Sequence, residues 1–394
     1  MQKSGDKLSL VKTSRQYPIA PLLPAEILSL ILIRSPAQWT PDAWRENVNV
    51  LLSCCHVSKA WGETAREGLY LCIRLSQVES LRLLLRTVHS ESFGGHCPAR
   101  ALHFKPWFST PPMPHNKQLK KFTTLAGEIV SCCPKLIHLA GDCGPLRFTS
   151  TMALPKYPFL TGLKVSGQDL QLLAPLLFYL CNLESFEMHQ SYGDGDVLGL
   201  CFSPPTFKLS NILISQTYLS LSLCKWLFSS SSESIESLEV QDVGASLCHL
   251  IEVIGDFVKK LHIKHIYSEI LTDSEAIEAL SGLAGLRSLR IDGSWGFKTE
   301  PLLNLQSSLE TFAFSSCVAH EVQTRLQSGW QPSLQSLDMY YGPFFSLVSW
   351  RSFIDKMRES YEMSGRCELA MTCAARGVQL NEIDLGVRPK TLVI

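Results

Sequence analysis

"IESLEVQDVGASLCHLIEVIGDFVKKLHIK", Ile235–Lys264, carries two different periodicities. "IESLEV" opens it at Ile235, and "VKKLHI" returns near its end at Val258. Each reads apolar, two variable residues, apolar, one variable, apolar. The last two apolar positions alternate with polar ones, the period of a strand with one face buried. Between the copies, Leu247, Leu250, Ile251 and Ile254 fall at i, i+3, i+4 and i+7, one stripe of a helix. The stretch predicts strand, helix, strand.

Reading outward, the same six-residue pattern recurs as "LTGLKV" at Leu160, "LESFEM" at Leu183, "LSNILI" at Leu209, "LRSLRI" at Leu286, "LETFAF" at Leu309 and "LQSLDM" at Leu334. "LNEIDL" at Leu380 is a weaker copy, and "ALHF" near Leu102 and "KLIHLAGD" near Leu136 are degenerate ones. Successive starts from Leu160 to Leu334 lie 23, 26, 26, 23, 28, 23 and 25 residues apart. A strand and a helix repeated at this interval is the leucine-rich-repeat plan, with parallel strands in one sheet and helices outside it. "TDSEAIEALSGLAG" supports the plan, with Thr272 three residues before Glu275 as a capping box. The usual Asn or Cys of the repeat is mostly absent, so the repeats are irregular. After Met339 the rhythm changes: Leu347, Trp350, Ile354 and Met357 line one helix, a second runs over about Cys367 to Arg376, and a last strand follows Gly377. The expectation is a solenoid over 99–345, preceded by a connecting helix and loop over 76–98, and a C-terminal cap over 346–394, since the end of a repeat stack must be sealed from water.

Composition excludes some functions and leaves others. The 36 basic and 36 acidic residues cancel, so no cationic surplus recommends nucleic acid or an anionic membrane as the main partner. The segment from Ile19 to Ile33 contains Pro21, Pro24 and Glu26, too short and interrupted to span a bilayer. "MQKSGDKLSLVKTSRQ" has no apolar signal core and no Asn-X-Ser/Thr sequon occurs, so the 14 cysteines read as reduced thiols of an intracellular protein, cytoplasmic or nuclear. No phosphate-binding glycine loop is present. "YGDGDVLG" at Tyr192 lacks dinucleotide and calcium-loop spacing, and His320 and Glu321 have no second histidine to make a zinc-protease helix. Cys132, Cys133, His138 and Cys143 match no zinc spacing. The expectation is no catalytic residue, no metal and no cofactor. "FSSSSES", Phe228–Ser234, reads as a loop, either a simple solvated linker or a segment for phosphorylation.

The N-terminal part is different. Pro24 sits at a first helical position, with Glu26 in the first turn, and Ile27, Leu28, Ile31 and Leu32 form an apolar stripe. A polar insertion, "SPAQWTPDAWREN", precedes a second helix, "VNVLLSCCHV"; Ser58 starts a third, with Trp61, Ala65 and Leu69 on one side. "LPAEI" and "LLSCCHVSKAWGETA" resemble the F-box motif, over residues 17–75. "LYLCIRL" and "VESLRLLLRTV" resemble the strand and helix that lead into the repeats of fungal F-box-like proteins. The insertion before Val48 departs from the compact family pattern. The resemblance implies an α/β chain with a three-helix F-box-like unit ahead of the solenoid. It implies a substrate-recognition subunit of a cullin-type ubiquitin ligase, bound to a Skp-type adaptor, and assigns adaptor contact to Leu23, Pro24, Ile27, Leu28, Leu52, Val57 and Trp61. Independently, "IAPLLPAEILSLILI" has more apolar residues than one helical stripe requires, and such surplus docks onto partners. Two other readings stay open: an interaction scaffold whose F-box is vestigial, and a receptor that needs a small molecule under its target.

Strand alternation also predicts a binding face. One central position per strand gives Lys164, Glu187, Leu213, Glu239, His262, Arg290, Ala313 and Asp338, with Lys260, Lys264 and Ser288 beside them. Lys260, His262, Lys264 and Arg290, with Glu239 alongside, are either a basic spot for an acidic or phosphorylated target segment or a solvated polar face with internal ion pairs.

Overall fold

The computed structural model describes residues 41–91, 93–105, 116–141, 157–193, 196, 201–243, 246–264, 280, 283–292, 309–315, 319–331, 333–341 and 368–384. The chain divides into two units, Met1–Leu71 and Cys72–Ile394.

In the first unit, helix α1 spans Pro41–Cys54 and helix α2 spans Lys59–Leu71. α1 begins inside the segment read as an insertion. The reason is local: proline at the first helical position, Pro41, has a pre-set φ that suits a helix start. Leu51 and Cys54 of α1 and Ala65 of α2 make a small buried cluster, with Cys55, Trp61 and Leu69 packed partly buried against it. Ser58 caps α2 as expected, its hydroxyl accepting from the Trp61 amide at 3.3 Å. A Cβ on Gly62 would lie 3.2 Å from the Cys55 carbonyl, so glycine permits this close approach.

The second unit is one parallel sheet of twelve strands in chain order. They are β1 (Cys72–Leu75), β2 (Ala101–Phe104), β3 (His138–Gly141), β4 (Gly162–Ser166), β5 (Ser185–His189), β6 (Asn211–Ser215), β7 (Ser237–Gln241), β8 (Lys260–Lys264), β9 (Ser288–Asp292), β10 (Thr311–Ser315), β11 (Ser336–Tyr341) and β12 (Gln379–Asp384). Between strands lie α3 (Val78–Val88), α4 (Asn116–Ser131), α5 (Leu170–Tyr179), α6 (Leu221–Phe228), α7 (Ser246–Ile254) and α8 (Ala319–Gln327), with a further helix over 368–375. This is the expected leucine-rich-repeat plan. The sheet, however, starts earlier than residue 99. Cys72 pairs with Ala101 and Leu75 with Phe104, which makes β1 and α3 the first repeat rather than a connector. At the other end β12 pairs in parallel with β11, Leu337 beside Leu380, so the last strand is a full sheet member. Gly377, at φ 67°, turns the chain from the helix into β12. The helix expected over Leu347–Met357 and the Thr272 capping box lie outside the described residues.

Register follows the sequence pattern. Leu238, Leu261, Leu289 and Phe312 are lateral neighbours, as are Val240, Ile263, Ile291 and Phe314. All eight are at most 6% exposed, and the leading residues of the copies from Leu160 to Leu334 are at most 5% exposed. The weaker copy is shifted from its sequence reading: Leu380 is half-buried and pairs with Leu337, the fourth residue of its copy and not the first. The α7 stripe of Leu247, Leu250, Ile251 and Ile254 is buried as its spacing predicts. One carbonyl per repeat sets the step to the next strand. Glu236 O, for example, accepts from Lys259 N at 3.0 Å and Lys260 N at 2.9 Å, and Lys259 O does the same for Arg287 and Ser288.

Hydroxyls take over the ladder role of the missing consensus asparagines. Ser191 N donates to Thr217 Oγ1 at 3.2 Å, and Thr217 Oγ1 donates to Ser215 O at 2.8 Å. The serine-rich segment after α6 also differs from the expected solvated loop. Ser231 is fully buried; its hydroxyl donates to Phe207 O at 2.8 Å and accepts from Leu209 N at 3.1 Å. Two backbone groups of the preceding repeat are satisfied there, which is why a serine can be buried. Buried thiols behave as small apolar groups: burial pushes Cys72 and Cys224 up to about 12.

Candidate functional site: the outward face of the sheet

The third residue of each strand points away from the core, and the register aligns these residues across the whole sheet. The row runs Arg74, His103, Ala140, Lys164, Glu187, Leu213, Glu239, His262, Arg290, Ala313, Asp338 and Asn381. Every central position named from sequence falls in this row. Ser237, Lys260, Ser288 and Thr311 form the neighbouring row, and Gln241, Lys264 and Asp292 the next.

Glu239, His262, Lys264 and Arg290 are brought together, but they are not an uncompensated basic spot. His262 Nε2 lies 2.6 Å from Asp292 Oδ2 and Nδ1 lies 3.2 Å from Glu239 Oε2. Lys264 Nζ donates to Glu239 Oε1. Arg290 Nε donates to both Asp292 oxygens, at 2.9 and 3.0 Å. The Arg290 guanidinium also sits 4.3 Å from the ring centroid of Tyr340, two strands away. Ala313, between them on the central row, carries no bulk to block that reach. Lys260 is exposed at the start of β8.

Both imidazole nitrogens face carboxylates, an arrangement satisfied in full only by the imidazolium, which donates twice. Burial would lower the His262 pKa; the hydrogen bonds it donates to Asp292 and Glu239 outweigh it and raise it. Burial would likewise raise Glu239, but its bonds from His262 and Lys264 hold it down at about 2. Asp292 is lowered the same way, burial opposed by His262 and Arg290. With His262 protonated, three cations meet two carboxylates inside the network.

Sequence reasoning missed Asp292 and Tyr340, whose roles come from cross-strand reach rather than from a motif. It also missed the Lys164–Glu187 ion pair at 2.8 Å, although both residues were placed on the row. A third row of interest lies just past the strand ends, where Gln190, Gln216 and Asp242 hold φ of 45°, 48° and 49°.

Of the adaptor-contact residues, Leu52 and Val57 are 49% and 63% exposed, and Val50 beside them is 51% exposed. Trp61 packs partly buried against the small cluster of its own unit. Leu23, Pro24, Ile27 and Leu28 lie outside the described residues. Cys133 Sγ donates to Ile129 O at 3.1 Å, and the His138 ring lies over Gly162, 2.1 Å from where a Cβ would be. Among the described residues no group of three or more His, Cys, Asp or Glu is placed to hold a metal, and no helix is long and apolar enough to cross a membrane.

No protein-family model matches the chain. No curated protein matches it either. Solved structures do, among them the leucine-rich repeat-containing protein LegL7 from Legionella pneumophila, 15% identical, covering 71% of this chain and 90% of that one with a TM-score of 0.41. The repeat reading rests on the strand register, not on that slight likeness.

Proposed function

We propose that the chain is a non-enzymatic receptor: its N-terminal helical unit, which resembles an F-box, docks a Skp-type adaptor of a cullin-based ubiquitin ligase, and the outward sheet face holds a target protein. Chemistry then belongs to the other subunits. This chain contributes proximity, since tethering makes transfer to a target lysine effectively intramolecular.

The observation that carries the receptor reading is the twelve-residue outward row, aligned strand by strand. Lys164, Glu187, Glu239, His262 and Arg290 on it are already held by neighbouring side chains, so less side-chain entropy remains to be lost there when a partner docks. Around β8, His262 as imidazolium, Lys260, Lys264 and Arg290 outnumber Glu239 and Asp292, four cations to two carboxylates. That surplus suits an acidic or phosphorylated target segment. The adaptor half of the reading rests on the resemblance and on the exposed Val50, Leu52 and Val57.

Affinity purification from native cells, with the proteasome and cullin activation blocked, tests both halves. Recovery of the adaptor and cullin with the chain, together with a target lost on Lys260→Glu, is the expected result. A target that binds without any adaptor leaves a leucine-rich interaction scaffold and removes the ligase.

A further inference from the structure

Two buried thiols meet between the second and third repeats. "CPAR", residues 97–100, leads into β2, and "CPKLI", residues 133–137, leads into β3. The two lead-ins run side by side and are tied at both ends. Cys97 N donates to Cys132 O at 2.8 Å, while Arg100 O accepts from Ile137 N at 2.7 Å and His138 N at 2.9 Å. Lateral neighbours in a sheet stand roughly 4.8 Å apart, inside the Cα separation of about 4.4–6.8 Å that a disulfide needs. A proline follows each cysteine and keeps the cysteine backbone extended, which limits where its Cβ can aim. Both side chains lie inside: Cys97 is 1% exposed and Cys133 0%, whereas Cys132 is partly exposed.

These thiols differ from Cys72 and Cys224, whose protons burial simply retains. Cys133 has one proton and two acceptors within reach, Ile129 O at 3.1 Å and the Cys97 sulfur. Turned toward Cys97, it stabilises the Cys97 thiolate. That hydrogen bond outweighs burial and brings the Cys97 pKa down to about 7. The same contact, helped by burial, keeps the proton on Cys133 and pushes its pKa up. A thiolate touching a thiol is the arrangement that oxidation converts to a disulfide.

We propose that Cys97 and Cys133 form a peroxide-driven, reversible disulfide that staples the second repeat to the third. The Cys97 thiolate attacks one oxygen of hydrogen peroxide; the O–O bond breaks, hydroxide leaves and Cys97 becomes a sulfenic acid. The Cys133 sulfur then attacks the Cys97 sulfur. The S–S bond forms, the S–O bond breaks, and the departing hydroxide takes the Cys133 proton to leave as water. The two sulfurs together lose two electrons, which the peroxide gains. Exchange with a dithiol reverses the bond. Burial selects the oxidant: peroxide is little larger than water, whereas a bulky disulfide such as oxidised glutathione has no path to a sulfur this enclosed. The inference goes beyond the receptor reading and does not depend on it.

The test treats the folded full chain with hydrogen peroxide at about pH 8, where Cys97 is thiolate. Free thiols are then blocked with iodoacetamide and tryptic peptides mapped by mass spectrometry. A crosslink between peptides 87–100 and 122–135, removed by dithiothreitol, is expected. The second peptide carries Cys132 as well as Cys133, so Cys132→Ser should keep the crosslink and Cys133→Ser should lose it. The crosslinked chain should melt a few degrees above the same chain after dithiothreitol, since the bond closes the loop from residue 97 to residue 133. Oxidised glutathione should give at most about a tenth of the crosslink in the same time. No crosslink between these peptides in the native chain, a crosslink lost in Cys132→Ser but kept in Cys133→Ser, equal yield with oxidised glutathione, or an unchanged melting midpoint would each overturn the proposal.

Discussion

The helical unit and the repeat sheet handle apolar residues in opposite ways. In the sheet, apolar residues sit at the strand positions that alternation sends inward, and Leu238, Leu261, Leu289 and Phe312 are all at most 2% exposed. In the helical unit, the described cluster has Leu51, Cys54 and Ala65 buried, while Val50, Leu52 and Val57 on the same segment remain half exposed or more. The exposed large apolar side chains of the repeat unit, such as Phe159, Phe178 and Met371, lie outside its strands, whereas those of the described helical unit cluster on one segment. Under the proposed function this is a division of work: the strands offer a polar face to the target, and Val50, Leu52 and Val57 offer an apolar one to the adaptor.

Core truncation gives the largest effects and should separate the two regions sharply. Phe312 is 1% exposed and stacks on Phe314 with ring centroids 5.3 Å apart. Phe312→Ala should cost about 3–5 kcal/mol and Leu261→Ala about 2–5 kcal/mol in denaturant unfolding. Leu52→Ala should change stability by no more than about 0.5 kcal/mol. If Leu52→Ala is as damaging as Leu261→Ala, the helical unit has a closed core too and the contrast fails.

Removing one carboxylate from the face network comes next. Asp292 is 7% exposed and takes bonds from His262 and Arg290. Asp292→Ala leaves Arg290 without its carboxylate and His262 with Glu239 alone, and should cost about 1–3 kcal/mol. Arg290→Glu, by contrast, sets a third carboxylate beside Asp292 and Glu239, so charge reversal of Arg290 or Lys264 perturbs the face as well as any partner. Lys260→Glu is the cleaner probe, because Lys260 is exposed.

Smaller still is the proton linkage. His262 has its pKa raised above its ordinary 6.5 in the folded chain. The folded state therefore holds the proton more tightly, and this stabilisation is complete below 6.5 and is lost as pH rises through the folded value. Unfolding free energy of the native chain relative to His262→Gln should fall with rising pH over that window. Glu239, held at about 2, contributes in the other sense, and its share disappears only as pH falls from its ordinary 4.5 toward about 2. A flat difference between native and His262→Gln from pH 5 to 9 would show that the double carboxylate contact does not hold in solution.

Legibility in the sequence followed periodicity. The outward row from Lys164 to Asp338 could be read in advance because each "LxxLxL" copy fixes which face every residue takes, and a slip of one would bury charges. The α7 stripe was legible for the same reason. Where periodicity was weak, reading failed. β1 has only four residues and an arginine near its middle, so its partnership with β2 shows only in the ladder. The start of α1 hid behind two tryptophans and a run of polar residues, although Thr40, Pro41 and Asp42 carry a helix-start signature. Ser231 looked like part of a loop because composition cannot show that two backbone groups of another repeat need its hydroxyl. The partnership of Asp292 and Tyr340 with Arg290 depends on side-chain reach across strands, which no spacing rule encodes.

Binding of a purified Skp-type adaptor to the full chain, measured by titration calorimetry, tests the division of work most directly. The native chain should form a one-to-one complex. Leu52→Asp with Val57→Asp should abolish that complex while leaving the melting midpoint unchanged, because both side chains are exposed and a charge there is buried only under the adaptor. A native chain that shows no heat of binding, or a double variant that binds the adaptor as tightly as the native chain, would contradict the account.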